Sequence, residues 1–204
     1  MLDESDRLTR PVTDADHVRG SVNAPITIVE YGEYQCPFCK AAEPLVQALF
    51  QALGANLRLA FRPLPVSSVH AFAGRAAEAA EAAGAQGQFW TMHQTLFEHQ
   101  DALDDASLLR YARGLGLDLA RFESAMAEHT HRGKVRADML SGLQSGARGT
   151  PTFFIDGLRY DQPPDLREMV ALIRERHPEL DVATAVSANI RVPAMTASEP
   201  DSQV

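Results

Sequence analysis

The chain has 204 residues, of which 45% are hydrophobic and 23% charged, so it can bury the core of one generous domain. Its formal net charge of −8 argues against nucleic acid as the main partner. No apolar run approaches the roughly 18 residues that cross a bilayer, so we predict no membrane span. The first residues are polar and acidic and lack the basic and apolar regions of a secretory signal. We therefore expect a cytoplasmic protein.

The first predicted elements are a polar lead-in, a strand and a helix. Residues 1–22 are polar and aperiodic, and we predict them to be weakly structured. A turn-forming Asn-Ala-Pro sequence at 23–25 ends this lead-in. The apolar, β-branched run at 26–31 predicts a buried strand. Residues 37–53 carry apolar side chains three and four positions apart, which indicates an amphipathic helix.

A second strand and a long helical block follow. Residues 57–62 alternate between apolar and polar side chains, which is typical of a strand, and Pro63 ends it. The whole region 67–148 then predicts only helices, so we expect an all-helical insertion there. The predicted helices lie at about 71–83, 86–99, 105–114, 118–128 and 131–145.

Strands return after the helical block. Residues 152–155 are apolar and aromatic, and the Asp-Gly pair that follows them predicts a tight hairpin turn. Residues 158–160 are the predicted partner strand, and 165–176 have one apolar face typical of a helix. The remaining residues are small, polar and aperiodic, so we predict a flexible tail over 178–204.

The two cysteines of the chain stand with two residues between them, where the first strand gives way to the first helix. The pattern places Cys36 at the helix N-cap and Pro37 at the first helical position. Free backbone N–H groups and the helix dipole stabilise a thiolate there, so we predict Cys36 to be the reactive sulfur. Cys39 lies one turn further on the same side, close enough to form a disulfide with Cys36. This placement is typical of a redox dithiol.

Two simpler interpretations of the cysteine pair compete with a redox dithiol. The pair could be two ordinary buried thiols, or half of a zinc site. Zinc usually takes four ligands, and no second C-x-x-C sequence supplies the other two. We therefore predict no metal.

The order of the predicted elements indicates the fold. A strand–helix–strand unit, a helical block and a strand–strand–helix unit form a thioredoxin-like layout. This is an α/β fold with a central mixed sheet flanked by helices. Residues 23–66 would form its first part, 67–148 the insertion and 149–177 the second part.

Three features together resemble the DsbA-like family of thioredoxin-fold thiol–disulfide oxidoreductases. They are the sequence EYGEYQCPFC at 30–39, the sequence GTPTFFIDG at 149–157, and the helical block between them. The resemblance extends over about 20–176. It implies an enzyme that exchanges disulfides with protein or small-molecule thiols and is recycled by a redox partner. Its redox group would be the Cys36–Cys39 disulfide itself, without a bound cofactor.

The resemblance also implies roles for five further residues. Pro151 matches the proline that the family keeps in the cis form facing the dithiol. Thr150 matches the residue whose backbone pairs with a substrate peptide. Glu30 matches a buried acid that carries a proton to and from the second cysteine. Pro37 and Phe38, between the cysteines, are expected to contact the substrate, and neither supplies the histidine found there in strong oxidants.

Two other functions compete with the enzyme. A redox-sensing, thioredoxin-like binding module or holdase without turnover would carry the same dithiol. A glutathione-dependent transferase or isomerase typically keeps one reactive residue at this place, so the intact cysteine pair argues against it.

Overall fold

The computed structural model describes residues 6–180 and 190–192. These residues form one five-stranded sheet with strand order β1-β3-β2-β4-β5. The strands are β1 (His17–Gly20), β2 (Ile26–Gly32), β3 (Leu57–Pro63), β4 (Thr152–Ile155) and β5 (Leu158–Tyr160). β2 and β3 are parallel, whereas β1–β3, β2–β4 and β4–β5 are antiparallel. The sheet is therefore mixed, and the prediction of a thioredoxin-like fold is confirmed.

Helices flank the sheet and fill the interval between β3 and β4. They are α1 (Pro37–Leu53), α2 (Ala73–Gly84), α3 (Phe89–Glu98), α4 (Asp105–Gly114), α5 (Leu119–Ala127), α6 (Arg132–Gln144) and α7 (Leu166–Arg176). All seven occur where periodicity predicted them, with ends that differ by at most a few residues. The reason is that most of these helices carry an apolar stripe of their own. Helix α6 is the exception, since its buried residues are Val135, Asp138, Ser141 and Gly142.

The side chains of β2 alternate between two packed faces of the sheet. Ile26 and Ile28 pack with apolar residues of α1 and α7. Val29 and Tyr31 pack on the opposite face, against the amino-terminal segment and α6. Because a strand has period two, Glu30 lies on the same face as Ile28, toward the start of α1. This register places a carboxyl group beneath the cysteine pair.

The helical insertion has a core of its own, built around the alanine-rich helix α2. Its alanine side chains are almost completely buried against the neighbouring helices. Small side chains let α3, α5 and α6 approach α2 closely, which is why a helix of such low hydrophobicity sits at the centre of the block. In the described parts of the chain, no helix is long and apolar enough to cross a membrane.

The prediction of a weakly structured lead-in is wrong for residues 17–20. They form β1, which pairs antiparallel with β3. This strand has a single apolar residue, Val18, so its sequence carries no alternation, and the free edge of β3 decides its conformation. Further upstream, the carbonyls of Arg10 and Pro11 accept hydrogen bonds from the buried Arg62.

The predicted flexible tail is described only in part. Residues 181–189 and 193–204 lie outside the described residues. Ile190 accepts a hydrogen bond from the Leu166 N–H at 3.0 Å, and Val192 is buried against the start of α7. This short piece therefore belongs to the folded body.

Candidate active site

The cysteine pair sits where β2 feeds into α1, as the sequence pattern indicates. Cys36 is the N-cap residue, with φ −72° and ψ 120°, and Pro37 occupies the first turn. Both cysteines are free thiols. Cys36 is 3% exposed and Cys39 0%, so the reactive sulfur is the more accessible by only a small margin. Pro37 is exposed and Phe38 half-buried, so both border the approach to Cys36.

The loop before β4 meets the dithiol. The Cys36 thiol donates to the carbonyl of Thr150 at 3.2 Å. The peptide bond between Thr150 and Pro151 is cis. The structure thus brings Thr150 and the start of helix α1 together across more than 100 residues of sequence.

Several hydrogen bonds lower the pKa of Cys36 from the ordinary value of 9.0 to about 6. A hydrogen bond with the Cys39 thiol contributes most, and partial burial of the sulfur opposes it. A hydrogen bond from the Thr150 side chain and the backbone N–H groups of Phe38 and Cys39 lower the pKa further. The reduced protein therefore holds Cys36 largely as a thiolate at neutral pH.

The pKa values of Cys39 and Glu30 shift in the opposite direction, upward. Burial raises the pKa of the Cys39 thiol well above 9.0, and its hydrogen bond to Cys36 raises it further. Burial also raises the pKa of Glu30 well above 4.5, with smaller contributions from the charges of Glu43 and Cys36. A thiol with a lowered pKa and a thiol with a raised pKa therefore lie beside a carboxyl group that can be protonated. Together these three groups can move a proton while the sulfur bonds exchange.

Glu33 is a site residue that the sequence did not single out. Its backbone N–H donates to Cys39 Sγ at 3.5 Å. Its buried carboxylate accepts from the Val66 N–H at 2.7 Å and binds His70 Nδ1. Glu33 therefore ties the loop before α2 to the loop that carries the dithiol. An acid between an apolar strand and the cysteines was the available signal, but its partner lies 37 residues away.

Gln100 is a second such residue. Its side-chain amide donates to the backbone carbonyl of Cys36 at 2.9 Å. The helical insertion thus fixes the peptide unit of the reactive cysteine directly. Nothing in the local sequence marks this residue, because the contact spans 64 positions.

A cavity of about 490 Å³ lies beside the dithiol. Phe38 and Pro151 border it on the side of the cysteines, and Tyr160 and Val192 border it further out. Arg148 and Arg159 also line the cavity, and Arg159 is paired with Asp161, which lies in the same lining. Within residues 6–180 and 190–192, no group of three or more histidine, cysteine or acidic side chains could hold a metal ion.

Comparison with known proteins agrees with this geometry. A family model described as Thioredoxin matches residues 12–175. Among curated proteins, the chain is 45% identical over 160 residues to Na(+)/H(+) antiporter NhaA 3 of Salinispora tropica. That match covers 78% of this chain and 24% of the antiporter. The chain thus spans about a quarter of the length of the curated relatives it matches.

Solved structures share most of the fold. Oxidised BdbD from Bacillus subtilis superimposes with a TM-score of 0.73 at 22% identity, covering 83% of this chain and 97% of BdbD. A thioredoxin-like oxidoreductase from Silicibacter pomeroyi superimposes with a TM-score of 0.72 at 26% identity, covering 82% and 95%. Each of these likenesses covers more than four fifths of this chain.

Proposed function

This chain belongs to the thioredoxin family, whose model matches residues 12–175, and from its DsbA-like fold we propose that it catalyses thiol–disulfide exchange with protein or small-molecule thiols. One observation carries the proposal. The Cys36 thiol has a pKa of about 6 and shares a hydrogen bond with Cys39, whose own pKa is raised. A thiolate next to a protonated partner is the resting form of a reduced exchange dithiol.

The exchange starts from the Cys36–Cys39 disulfide and a substrate with two thiols. A substrate thiolate attacks Cys36 Sγ, so a mixed disulfide forms and the bond to Cys39 breaks. Cys39 leaves as a thiolate and takes a proton from Glu30. The second substrate thiolate then attacks the substrate sulfur of the mixed disulfide and releases Cys36 as a thiolate. The substrate loses two electrons and the protein gains them, and no bound cofactor takes part.

The loop before β4 would hold the substrate. When Cys36 is protonated, the Thr150 carbonyl accepts a hydrogen bond from its thiol. Loss of that proton frees the carbonyl to accept an N–H from an extended substrate chain. The cavity beside Phe38 and Pro151 then offers a partly apolar surface for side chains next to the substrate cysteine.

The pKa of Cys36 also bears on the direction of electron flow. Stabilising the thiolate stabilises the reduced form, and this makes the disulfide more oxidising. Reactive cysteines have pKa values of about 7 in thioredoxin and about 3.5 in DsbA. A value of about 6 therefore predicts a reduction potential between about −270 mV and about −120 mV.

The antiporter name of the curated relatives belongs to proteins about four times as long as the matched segment. The name is that of the longer proteins and by itself assigns no activity to the shared segment. We propose that the shared segment is the thiol–disulfide module of these longer proteins. We also propose that a membrane transporter, through its thiols, is a candidate partner of this chain. Recovery of such a protein in a mixed disulfide with Cys39→Ser would support this partner, and recovery of soluble proteins alone would exclude it.

The proposed enzymatic activity is tested by turnover of a disulfide substrate, such as the reduction of insulin with a chemical reductant. We expect turnover by the native protein and its loss in Cys36→Ser, while Cys39→Ser accumulates mixed disulfides. Reversible oxidation of the dithiol without turnover would overturn the proposed enzymatic activity and favour a redox-sensing binding module.

The pKa of Cys36 provides a second test. The alkylation rate of reduced protein should rise with pH around a midpoint near 6. Removing the Cys39 hydrogen bond in Cys39→Ala should move this midpoint upward. Cys39→Ser is the matched control, because a hydroxyl group still donates to the thiolate and should move the midpoint less. A midpoint near 9 in the native protein would contradict the proposal.

A further inference from the structure

The cavity beside the dithiol has one wall that comes from near the carboxyl-terminal end of the chain. Among the described residues that line this cavity, Val192 alone lies beyond residue 175, where the match to the thioredoxin family model ends. The other lining residues lie between Phe38 and Pro164. Val192 is therefore outside the matched family segment, and any role for it at this cavity rests on the proposed exchange of disulfides.

Backbone pairing holds residues 190–192 in place. The Val192 N–H donates to the Pro164 carbonyl at 2.8 Å, and Asp165 forms an antiparallel β-bridge with Arg191. The N–H of the first residue of α7 donates to the other end of the segment at 3.0 Å. The segment therefore pairs, like a short strand, with the loop that leads into α7.

The side chains of this segment alternate between the protein and solvent. Val192 is 1% exposed and Ile190 is half-buried, whereas the Arg191 side chain is 61% exposed. This order has the period of two that is typical of a strand with one buried face. Val192 joins the apolar cluster that contains Phe153 and against which Phe38 packs. All three of these side chains line the cavity, so the segment contributes to its apolar surface.

The loop at 161–164, which also lines the cavity, is held by the same segment. Pro163 and Pro164 have no N–H to donate, so this part of the loop can pair only through its carbonyl groups. The Pro164 carbonyl does so by accepting the hydrogen bond from Val192. Val192 therefore closes part of the wall with its side chain and holds the adjoining loop with its backbone.

Charge is a weaker basis for selection at this cavity than apolar contact. The lining has three charged residues, Arg148, Arg159 and Asp161. Two of them offset each other, because Arg159 is paired with Asp161. The apolar side chains of the wall are therefore the features by which the cavity can distinguish one substrate from another.

We propose that Val192 determines substrate preference at this cavity, and that the preferred substrate carries a large apolar side chain within two positions of its reactive cysteine. Successive side chains of an extended substrate on the Thr150 carbonyl point to opposite sides, so some of them face the cavity. A large apolar side chain that enters it is removed from water against Phe38 and Val192. Val192 acts on selection and leaves the sulfur exchange at Cys36 unchanged.

The test measures how the reduced full chain reacts with peptides whose cysteine forms a mixed disulfide with thionitrobenzoate. The Cys36 thiolate attacks the peptide sulfur and releases the coloured thionitrobenzoate anion, so absorbance gives a second-order rate constant. In one set of peptides a single Phe lies within two positions of the cysteine. The reference peptide has Ala at all of these positions.

We expect the native protein to react faster with at least one Phe peptide than with the Ala peptide. Val192→Ala should lower this Phe-to-Ala ratio roughly threefold or more, because the wall loses two methyl groups of apolar contact. The rate constant for the Ala peptide and the alkylation midpoint of Cys36 should stay unchanged.

Val170→Ala is the matched control. Val170 lies on α7, belongs to the same apolar cluster and is 2% exposed, but it is not among the described residues that line the cavity. This variant should lose stability and keep the native Phe-to-Ala ratio. If Val192→Ala does not fold, Val192→Thr keeps the shape and the backbone bonds. It should still lower the ratio, because a hydroxyl group replaces a methyl group on the wall.

Three results would overturn this role of Val192. They are a Phe-to-Ala ratio near one for every peptide in the native protein, an unchanged ratio in the folded Val192 variants, and an equal fall of the ratio in Val170→Ala. Failure of the native protein to react with any of the peptides or to turn over any disulfide is a different result, because it removes the proposed function itself.

Discussion

Glu30 and Arg62 are two buried charged residues on neighbouring strands, and they differ in how their polar atoms are satisfied. Arg62 is 0% exposed and uses all five of its N–H donors. Its partners are both carboxylate oxygens of Asp16, the carbonyls of Arg10 and Pro11, and the Tyr31 hydroxyl. Glu30 lies on the other face of the sheet, with one oxygen that has no partner among the described residues.

The pKa values show the consequence. Burial alone raises the pKa of Asp16, but the hydrogen bonds from Arg62 and from the Thr13 N–H and the nearby positive charges outweigh it and lower the pKa. Burial raises the pKa of Glu30, and nothing offsets it. The satisfied pair on one face keeps its charge and fixes the amino-terminal segment. The unsatisfied acid on the other face can change its charge, which is the property that exchange chemistry needs.

The largest expected effect is on the structural face. Arg62→Ala takes both charged hydrogen bonds from the buried Asp16 carboxylate and leaves it only Arg10 at 3.5 Å and the Thr13 N–H. The free energy of unfolding should therefore fall by about 3–5 kcal/mol. Urea denaturation measures this loss. Arg58→Ala is the control on the same strand, since its partly exposed side chain makes two hydrogen bonds, and it should cost about 1 kcal/mol. Equal losses in the two variants would show that the buried Arg62 contributes no more to stability than the partly exposed Arg58.

Glu30→Gln should lose little stability but much of the rate of disulfide closure, which is the opposite of the effect expected for Arg62→Ala. We expect disulfide closure to slow by about 100-fold, because the amide cannot accept the Cys39 proton. Rapid mixing from the mixed disulfide measures this rate. Unchanged closure in Glu30→Gln would exclude the carboxyl group as the proton carrier.

The stability of Glu30→Gln should also depend on pH in a defined direction. The folded protein binds the Glu30 proton more tightly than the unfolded chain, because the folded pKa is raised above 4.5. The native protein therefore loses stability as pH rises from about 4.5 through the folded pKa, and the variant lacks this loss. Urea denaturation of the oxidised proteins across this window should show the variant gaining relative to the native protein. A relative loss would contradict the raised pKa.

The smallest expected effect tests the packing around Glu30. Gly32→Ala puts a methyl group 2.7 Å from the Phe61 ring and should cost about 1–3 kcal/mol of unfolding free energy. Gly114→Ala in α4 is the control, since nothing lies within 4 Å of its added Cβ, and it should stabilise the protein by about 0.5–1 kcal/mol. Thermal or urea unfolding of both variants measures these changes in stability. A neutral Gly32→Ala would show that Phe61 moves freely beside Glu30.

The sequence by itself determined the local elements and the chemistry that they carry. Apolar periodicity located most of the helices and β2 to β5, and the cysteine spacing located the dithiol at the start of α1. Period two in β2 also explains why Glu30 faces α1. These features depend on residues a few positions apart, and short-range spacing is what a sequence records directly.

Tertiary structure alone decided the contacts that join distant segments. β1 forms because the edge of β3 offers hydrogen bonds, although His17–Gly20 has no strand pattern. Glu33 binds His70, Gln100 binds the Cys36 carbonyl and His93 meets Tyr34 only after the helical insertion docks on the sheet. Such contacts depend on how whole helices pack, and no spacing along the chain encodes that geometry.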